Sequence, residues 1–172
     1  ELLMTSPLKD FEIVLGKFLA ALSIIIVMII GTFFYPIILI IFGVPDFGPI
    51  FTGYLGLILY SSATLSVGIF ASSLSSNQLV SLVVGSGILS FLTFIDFVSS
   101  RVTGVFGTIL NELQLGGSFS LFDSSSFGIA EGGHFADFAR GIINFYDIIF
   151  YISISAIFIV LTIFSLESRR WR

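Results

Sequence analysis

The inventory of residues able to do chemistry is short. The single histidine, His134, follows Gly132 and Gly133, and Asp137 stands three residues on. At that spacing a His and an Asp share one helix face and could supply two ligands to a metal, short of the four that a closed zinc site needs. The alternative is a surface or interface histidine, which the isolated position favours. Asp96 closes a long apolar run, where an ionisable group at membrane depth is a functional candidate. Its neighbours Ser99, Ser100 and Arg101 give the other reading, an interfacial carboxylate paired with Arg101. The chain has no cysteine, so disulfides, zinc thiolates and thiol catalysis are excluded. No metal site and no catalytic constellation is expected.

These few groups sit in a chain that is 56% apolar and 10% charged, with a mean hydropathy of +1.10, against roughly 25% charged in an ordinary soluble domain. Four stretches are apolar and free of charge: 18–41, 51–74, 79–95 and 148–166. Each is long enough for a helix to cross roughly 30 Å of hydrocarbon. Inside lipid the backbone must satisfy itself, and none of the four alternates as a barrel strand does, so each is expected to be a transmembrane helix. The expected fold is therefore an all-α integral membrane protein with one transmembrane domain over 18–166. A preceding interfacial helix covers 1–17 and a short tail covers 167–172.

Turn chemistry separates the spans. Gly43, Pro45, Asp46, Gly48 and Pro49 follow the first, and Ser75-Ser76-Asn77-Gln78 follows the second, so neighbours run antiparallel. Lys9 and Lys17 precede the first span, and Arg169, Arg170 and Arg172 follow the fourth. With an even number of crossings, the bias of Lys and Arg toward the cytoplasm predicts a multi-pass protein of the cell membrane with both ends of this sequence cytoplasmic. The outer face then receives Asp46, Glu112, Asp123, Glu131 and Asp137.

The long outer segment, 96–147, is too apolar for a disordered tail. Val102, Val105, Phe106, Ile109, Leu110 and Leu113 recur at three- and four-residue spacing, predicting a helix over Val102 to Leu115 that lies on or dips into the outer leaflet. A second short amphipathic helix is expected over His134 to Asn144, leading into the last span.

Within the spans, Pro36 removes the hydrogen bond its N–H would make to the Thr32 carbonyl and should kink the first span, part of a gate or plain packing geometry. Gly53, Gly56, Ser61, Ser62, Ala63 and Gly68 in the second span, with Gly85 and Gly87 in the third, offer small surfaces that let helices approach closely. They read as helix packing first, with a dimer seam as an extension of it. At the start of the chain, Ser6 precedes Pro7 and is pushed out of helical geometry, and a new helix begins after it. That arrangement suits an interfacial helix that receives force or a partner, or a membrane-surface anchor.

Several spaced motifs together resemble the type-2 ABC export permeases of the gliding-motility-associated kind. They are Glu1-Leu2-Leu3-Met4-Thr5-Ser6-Pro7 with Glu12-Ile13-Val14-Leu15-Gly16-Lys17-Phe18, and Gly48-Pro49-Ile50 with Gly53-Tyr54-Leu55-Gly56. Further along come Ser72-Ser73-Leu74 to Asn77-Gln78, His134-Phe135 with Phe138-Ala139-Arg140-Gly141, and Leu166-Glu167-Ser168-Arg169-Arg170-Trp171. The resemblance implies a six-helix subunit of which these residues hold helices three to six. It also implies a second permease subunit, a homo- or heterodimer, and cytoplasmic ATP-binding subunits that bind ATP and magnesium. Glu1, Leu2, Leu3, Thr5, Ser6 and Pro7 then form the element that couples to the ATPase, Pro36 and Asp96 are gate or pathway candidates, and 96–147 holds paired outer half-helices. The sequence departs from the family in lacking the first two helices and in an outer segment rich in Gly and Ser from Gly116 to Gly133.

Three functions compete at this point. A non-catalytic permease subunit is favoured; no G-x-x-x-x-G-K-[ST] phosphate loop occurs, so ATP would be handled by a partner chain. Its other expected contacts are membrane lipid, with no nucleic acid. The alternative is a membrane anchor or scaffold subunit of a larger complex. An intramembrane enzyme working through Asp96, Asp137 or His134 is the third.

Overall fold

The computed structural model describes residues 10–43, 45–99, 110, 112–116 and 134–170, and among these every regular element is a helix. In chain order they are α1 (Asp10–Gly31), α2 (Phe34–Phe42), α3 (Phe47–Leu74), α4 (Gln78–Ser99), the short α5 (His134–Ala139) and α6 (Phe145–Arg170). Four stretches of helix are long and apolar enough to cross a membrane: Phe11–Phe42, Phe47–Leu74, Gln78–Ile95 and Phe145–Ser168. The protein is an all-α membrane protein with four spans.

Local chemistry sets the ends of these helices. Asp46 is the N-cap of α3 and accepts from the Gly48 N–H at 3.3 Å. Asn77 does the same for α4, its Oδ1 accepting from the Leu79 N–H at 3.0 Å. At the end of α5, Gly141 adopts φ +88°. The Gly141 N–H donates to the Phe138 carbonyl at 3.3 Å and the Ile142 N–H to the Asp137 carbonyl at 2.9 Å. This pair of bonds is the Schellman arrangement, in which a left-handed glycine stops a helix and satisfies its last carbonyls. A Cβ on Gly141 would also come within 3.2 Å of Pro49, so the turn seats α5 on the first turn of α3.

The core lies between α3 and α6. From α3 it takes Thr52, Gly56, Ala63, Ser66, Val67, Ala71 and Ser73, and from α6 Asp147, Tyr151, Ile154, Ser155 and Thr162. Both sets recur every three to four residues and so form one stripe per helix. Tyr60 meets Tyr151, Ser62 meets Ser155, Phe70 meets Phe158 and Ser73 meets Ser165, so numbers rise together and the two helices run parallel. The α3 stripe is made mostly of small residues, which allow close approach where lipid supplies no hydrophobic drive for helices to associate. Their hydroxyls bond back to their own helices, as Ser66 to Ala63 and Thr162 to Phe158, both at 2.7 Å.

The small residues singled out from the sequence divide in two. A Cβ on Gly56 would sit 2.8 Å from Phe138, and one on Gly85 3.1 Å from Ala71, so both lie at helix contacts, as does the fully buried Ala63. A Cβ on Gly53, Gly68 or Gly87 would meet nothing within 4 Å among the described residues.

Pro36 falls in the first turn of α2, and the span is interrupted one turn earlier, at Thr32–Phe33, around the carbonyl whose bond the proline removes. One expectation needs correction: the helix expected over His134 to Asn144 stops at Ala139, because Gly141 caps it and residues 142–144 run without regular structure. Residues 10–17, expected as the interfacial entry to the first span, are continuous with it as the first two turns of α1. The helix expected over Val102 to Leu115 falls mostly outside the described residues, as do Glu1 to Pro7.

Candidate functional site

The chemistry-bearing side chains converge where α5 and residues 112–116 meet the start of α6. Gly141 turns the chain back after α5, and α6 begins four residues later. This reversal brings His134, at the head of α5, onto the first turn of α6. The His134 Nδ1 lies 2.6 Å from Asp147 Oδ1, and its Nε2 lies 3.2 Å from the Glu112 carbonyl oxygen. Both residues are buried, at 7% and 4% exposed. The Phe150 ring stacks on the imidazole at 3.8 Å between centroids, and Tyr146 and Tyr151 close it in at 5.3 and 6.4 Å.

The hydrogen-bond chemistry restricts the proton inventory. A carbonyl only accepts, so Nε2 carries a hydrogen and donates to Glu112. The short Nδ1 to Oδ1 contact then needs one more hydrogen, on the ring or on the carboxyl. Either way the His134–Asp147 pair is neutral as a unit, the form in which two ionisable groups are least costly to bury. With both ring nitrogens engaged, His134 holds protein groups together rather than facing a solvent-filled cleft.

Other bonds extend the joint. The Tyr146 hydroxyl donates to Glu112 Oε2, so Glu112 is held by its main chain and its side chain. Tyr151 donates to the Leu115 carbonyl at 2.7 Å, and the Leu115 N–H donates to the Leu92 carbonyl of α4 at 3.3 Å. Thr52 of α3 donates to the Phe138 carbonyl at 2.7 Å, and Asn144 Nδ2 donates to Asp137 Oδ2. Non-helical backbone at membrane depth is tolerated only where protein satisfies it; here α3 and α6 supply hydroxyls to the carbonyls of the short pieces. Gln114 is fully buried with no partner for its amide among the described residues, and Asp147 Oδ2 is likewise unpartnered there.

The sequence-derived candidates fare differently. His134 is a buried, stacked and doubly bonded residue, not the surface or interface histidine expected, because Phe150 and Tyr146 cover it. Its carboxylate partner is Asp147, thirteen residues away, whereas Asp137, the neighbour on its own helix, turns to Asn144. Asp96 lies on α4, three residues before its end, and its side chain and Arg101 fall outside the described residues. Pro36 lies apart from the polar joint, on α2. Glu1, Leu2, Leu3, Thr5, Ser6 and Pro7 fall outside the described residues. Sequence reading missed Asp147, Gln114 and the tyrosines. The available signal was an acid and two tyrosines at the first turns of an otherwise apolar span, at positions 146, 147 and 151. No family model, curated protein or solved structure matches the chain.

Proposed function

We propose that the chain is the membrane-spanning permease part of an ATP-binding-cassette exporter, working with a separate cytoplasmic ATP-binding subunit and a second permease subunit. One observation carries the reading: the chain combines a tightly packed frame with a span that is broken in two and whose second half is barely packed. α3 and α6 pack along their length and lock α5 and residues 112–116 onto their outer ends, and α1 lies against both of them. α2 by contrast has no buried residue. A fixed frame beside a span able to change shape is the mechanical minimum for alternating access to a path. The sequence motifs described above supply the family direction, export, and the coupling role of Glu1 to Pro7.

In this reading the chain does no covalent chemistry. Both basic ends face the cytoplasm of the cell membrane, in keeping with the distribution of Lys and Arg. Nucleotide-driven closure of the partner pushes on Glu1 to Pro7, and α1 passes the movement to the break at Thr32–Phe33.

Gentle detergent purification of the native complex, with mass spectrometry of co-purifying proteins and an ATP hydrolysis assay, tests it. An ATP-binding subunit should co-purify and be lost when Leu2 and Leu3 are both replaced by Asp. Recovery of partners without ATPase activity alone would replace the permease with a membrane anchor or scaffold.

A further inference from the structure

The first span is interrupted at Thr32–Phe33, and the local bonding shows how the break is held. At the break the bonding tightens: the Thr32 N–H, still 3.3 Å from the Met28 carbonyl, lies closer to the Ile29 carbonyl, and the Phe33 N–H donates to the Ile30 carbonyl, both at 3.0 Å. These are i to i+3 bonds, which mark a strained or hinging stretch when they occur inside a long helix. Beyond it, Pro36 has no N–H to offer the Thr32 carbonyl. That carbonyl accepts instead from the Tyr35 N–H and from the hydroxyl of Tyr54 on α3, each at 3.0 Å. The Thr32 hydroxyl lies 3.1 Å from the same Tyr54 oxygen, and the Phe33 ring stacks on the Tyr54 ring with centroids 4.5 Å apart and planes 19° from parallel. The next bond of α2, from the Ile37 N–H to the Phe33 carbonyl, is long at 3.4 Å. Beyond this joint α2 has no buried residue, and Gly43 follows it directly.

We infer that Tyr54 is the pin of a hinge at Thr32–Phe33, about which the half-helix Phe34–Phe42 swings against a fixed α3. Its hydroxyl holds the carbonyl that Pro36 leaves short of a partner, and its ring holds the residue at the break. The inference deepens the permease reading by naming the moving part. It does not depend on that reading, since the hinge exists whether or not a substrate crosses.

These 172 residues contain no cysteine, which allows direct labelling. Spin labels are placed at Ile40→Cys and Leu57→Cys, both exposed, in the protein reconstituted in liposomes with any cysteine outside these residues replaced by serine, and the distance distribution is read by pulsed electron resonance. A control pair at Leu74→Cys and Ile157→Cys, also exposed, reports on the α3–α6 frame. Tyr54→Phe, which keeps the ring and loses the hydroxyl, should at least double the width of the Ile40–Leu57 distribution and leave the control pair unchanged. Pro36→Ala, which restores a continuous helix, should narrow that distribution and make a further Tyr54→Phe change silent. An unchanged width in Tyr54→Phe overturns the inference, and so does equal broadening of both pairs, which would mean general loosening. Absence of any ATP-binding subunit from the purified native complex, with the hinge behaving as stated, would overturn the permease reading alone.

Discussion

The α3–α6 pair and the first span are both apolar helices of membrane length, yet they are held in opposite ways. α3 and α6 bury a continuous stripe of small and hydroxyl residues and fasten α5 and residues 112–116 with side chain to backbone bonds. In the first span α1 leans on α3 and α6 with Val14 buried, whereas α2 has no buried residue and the break before it is held to α3 by Tyr54. Hydropathy does not separate them, since both read as spans. What separates them is the presence of small residues at helical spacing on a face that has a partner. In lipid, apolar surface alone gives no reason to pack, so order follows close approach and polar bonds.

The largest effect is expected at the polar joint. Removing one member of a buried pair costs about 3–5 kcal/mol, so His134→Ala should lower unfolding stability in detergent or lipid by that amount. A loss below about 1 kcal/mol, the range of exposed pairs, would show that the joint contributes little and that the contrast with the first span is false. Next comes Gly56→Ala. The new methyl meets Phe138 at its Cβ and Cγ, 2.8 Å away, and overpacking of this kind costs about 1–3 kcal/mol. Gly53→Ala, on the same helix with nothing within 4 Å, should instead be neutral or gain up to about 1 kcal/mol from helix propensity. Equal behaviour of the two would erase the distinction between packed and open faces of α3.

Smaller effects sharpen the same contrast. Thr52→Val removes the donor to the Phe138 carbonyl and should cost about 1 kcal/mol, read by denaturant titration. Phe42→Ala, at the exposed end of α2, should change folding stability by less than about 0.5 kcal/mol, as for surface sites without special contacts. A loss of 2 kcal/mol or more at Phe42 would mean that a partner surface covers α2 in the protein tested.

Much of the fold was legible because membrane length and turn chemistry are local. The capping residues Asp46 and Asn77 and the breaks around Gly43 and Ser75 lie where the sequence pattern puts them. The break in the first span was legible in part. Pro36 marks the Thr32 carbonyl as the one left without its helical bond, and the break lies there; that Tyr54 of α3 supplies a substitute donor is a contact no spacing rule encodes. The partner of His134 was not legible, because the pairing depends on a left-handed turn at Gly141 that folds α5 back onto α6. Periodicity favoured Asp137 by helical spacing, and it ran the α5 helix on to Asn144 for the same reason. Tyr151 and Thr52 escaped notice because their role is to satisfy backbone carbonyls distant in sequence, which no spacing rule encodes.

His134 and Asp147 act as one unit tying α5 and residues 112–116 to the frame. A double-mutant cycle with His134→Ala, Asp147→Ala and the double variant, each measured by reversible unfolding in the same detergent, tests this directly. The account predicts a coupling energy of at least about 1.5 kcal/mol, with the double variant little worse than either single one. Losses that simply add, within about 0.5 kcal/mol, would contradict it.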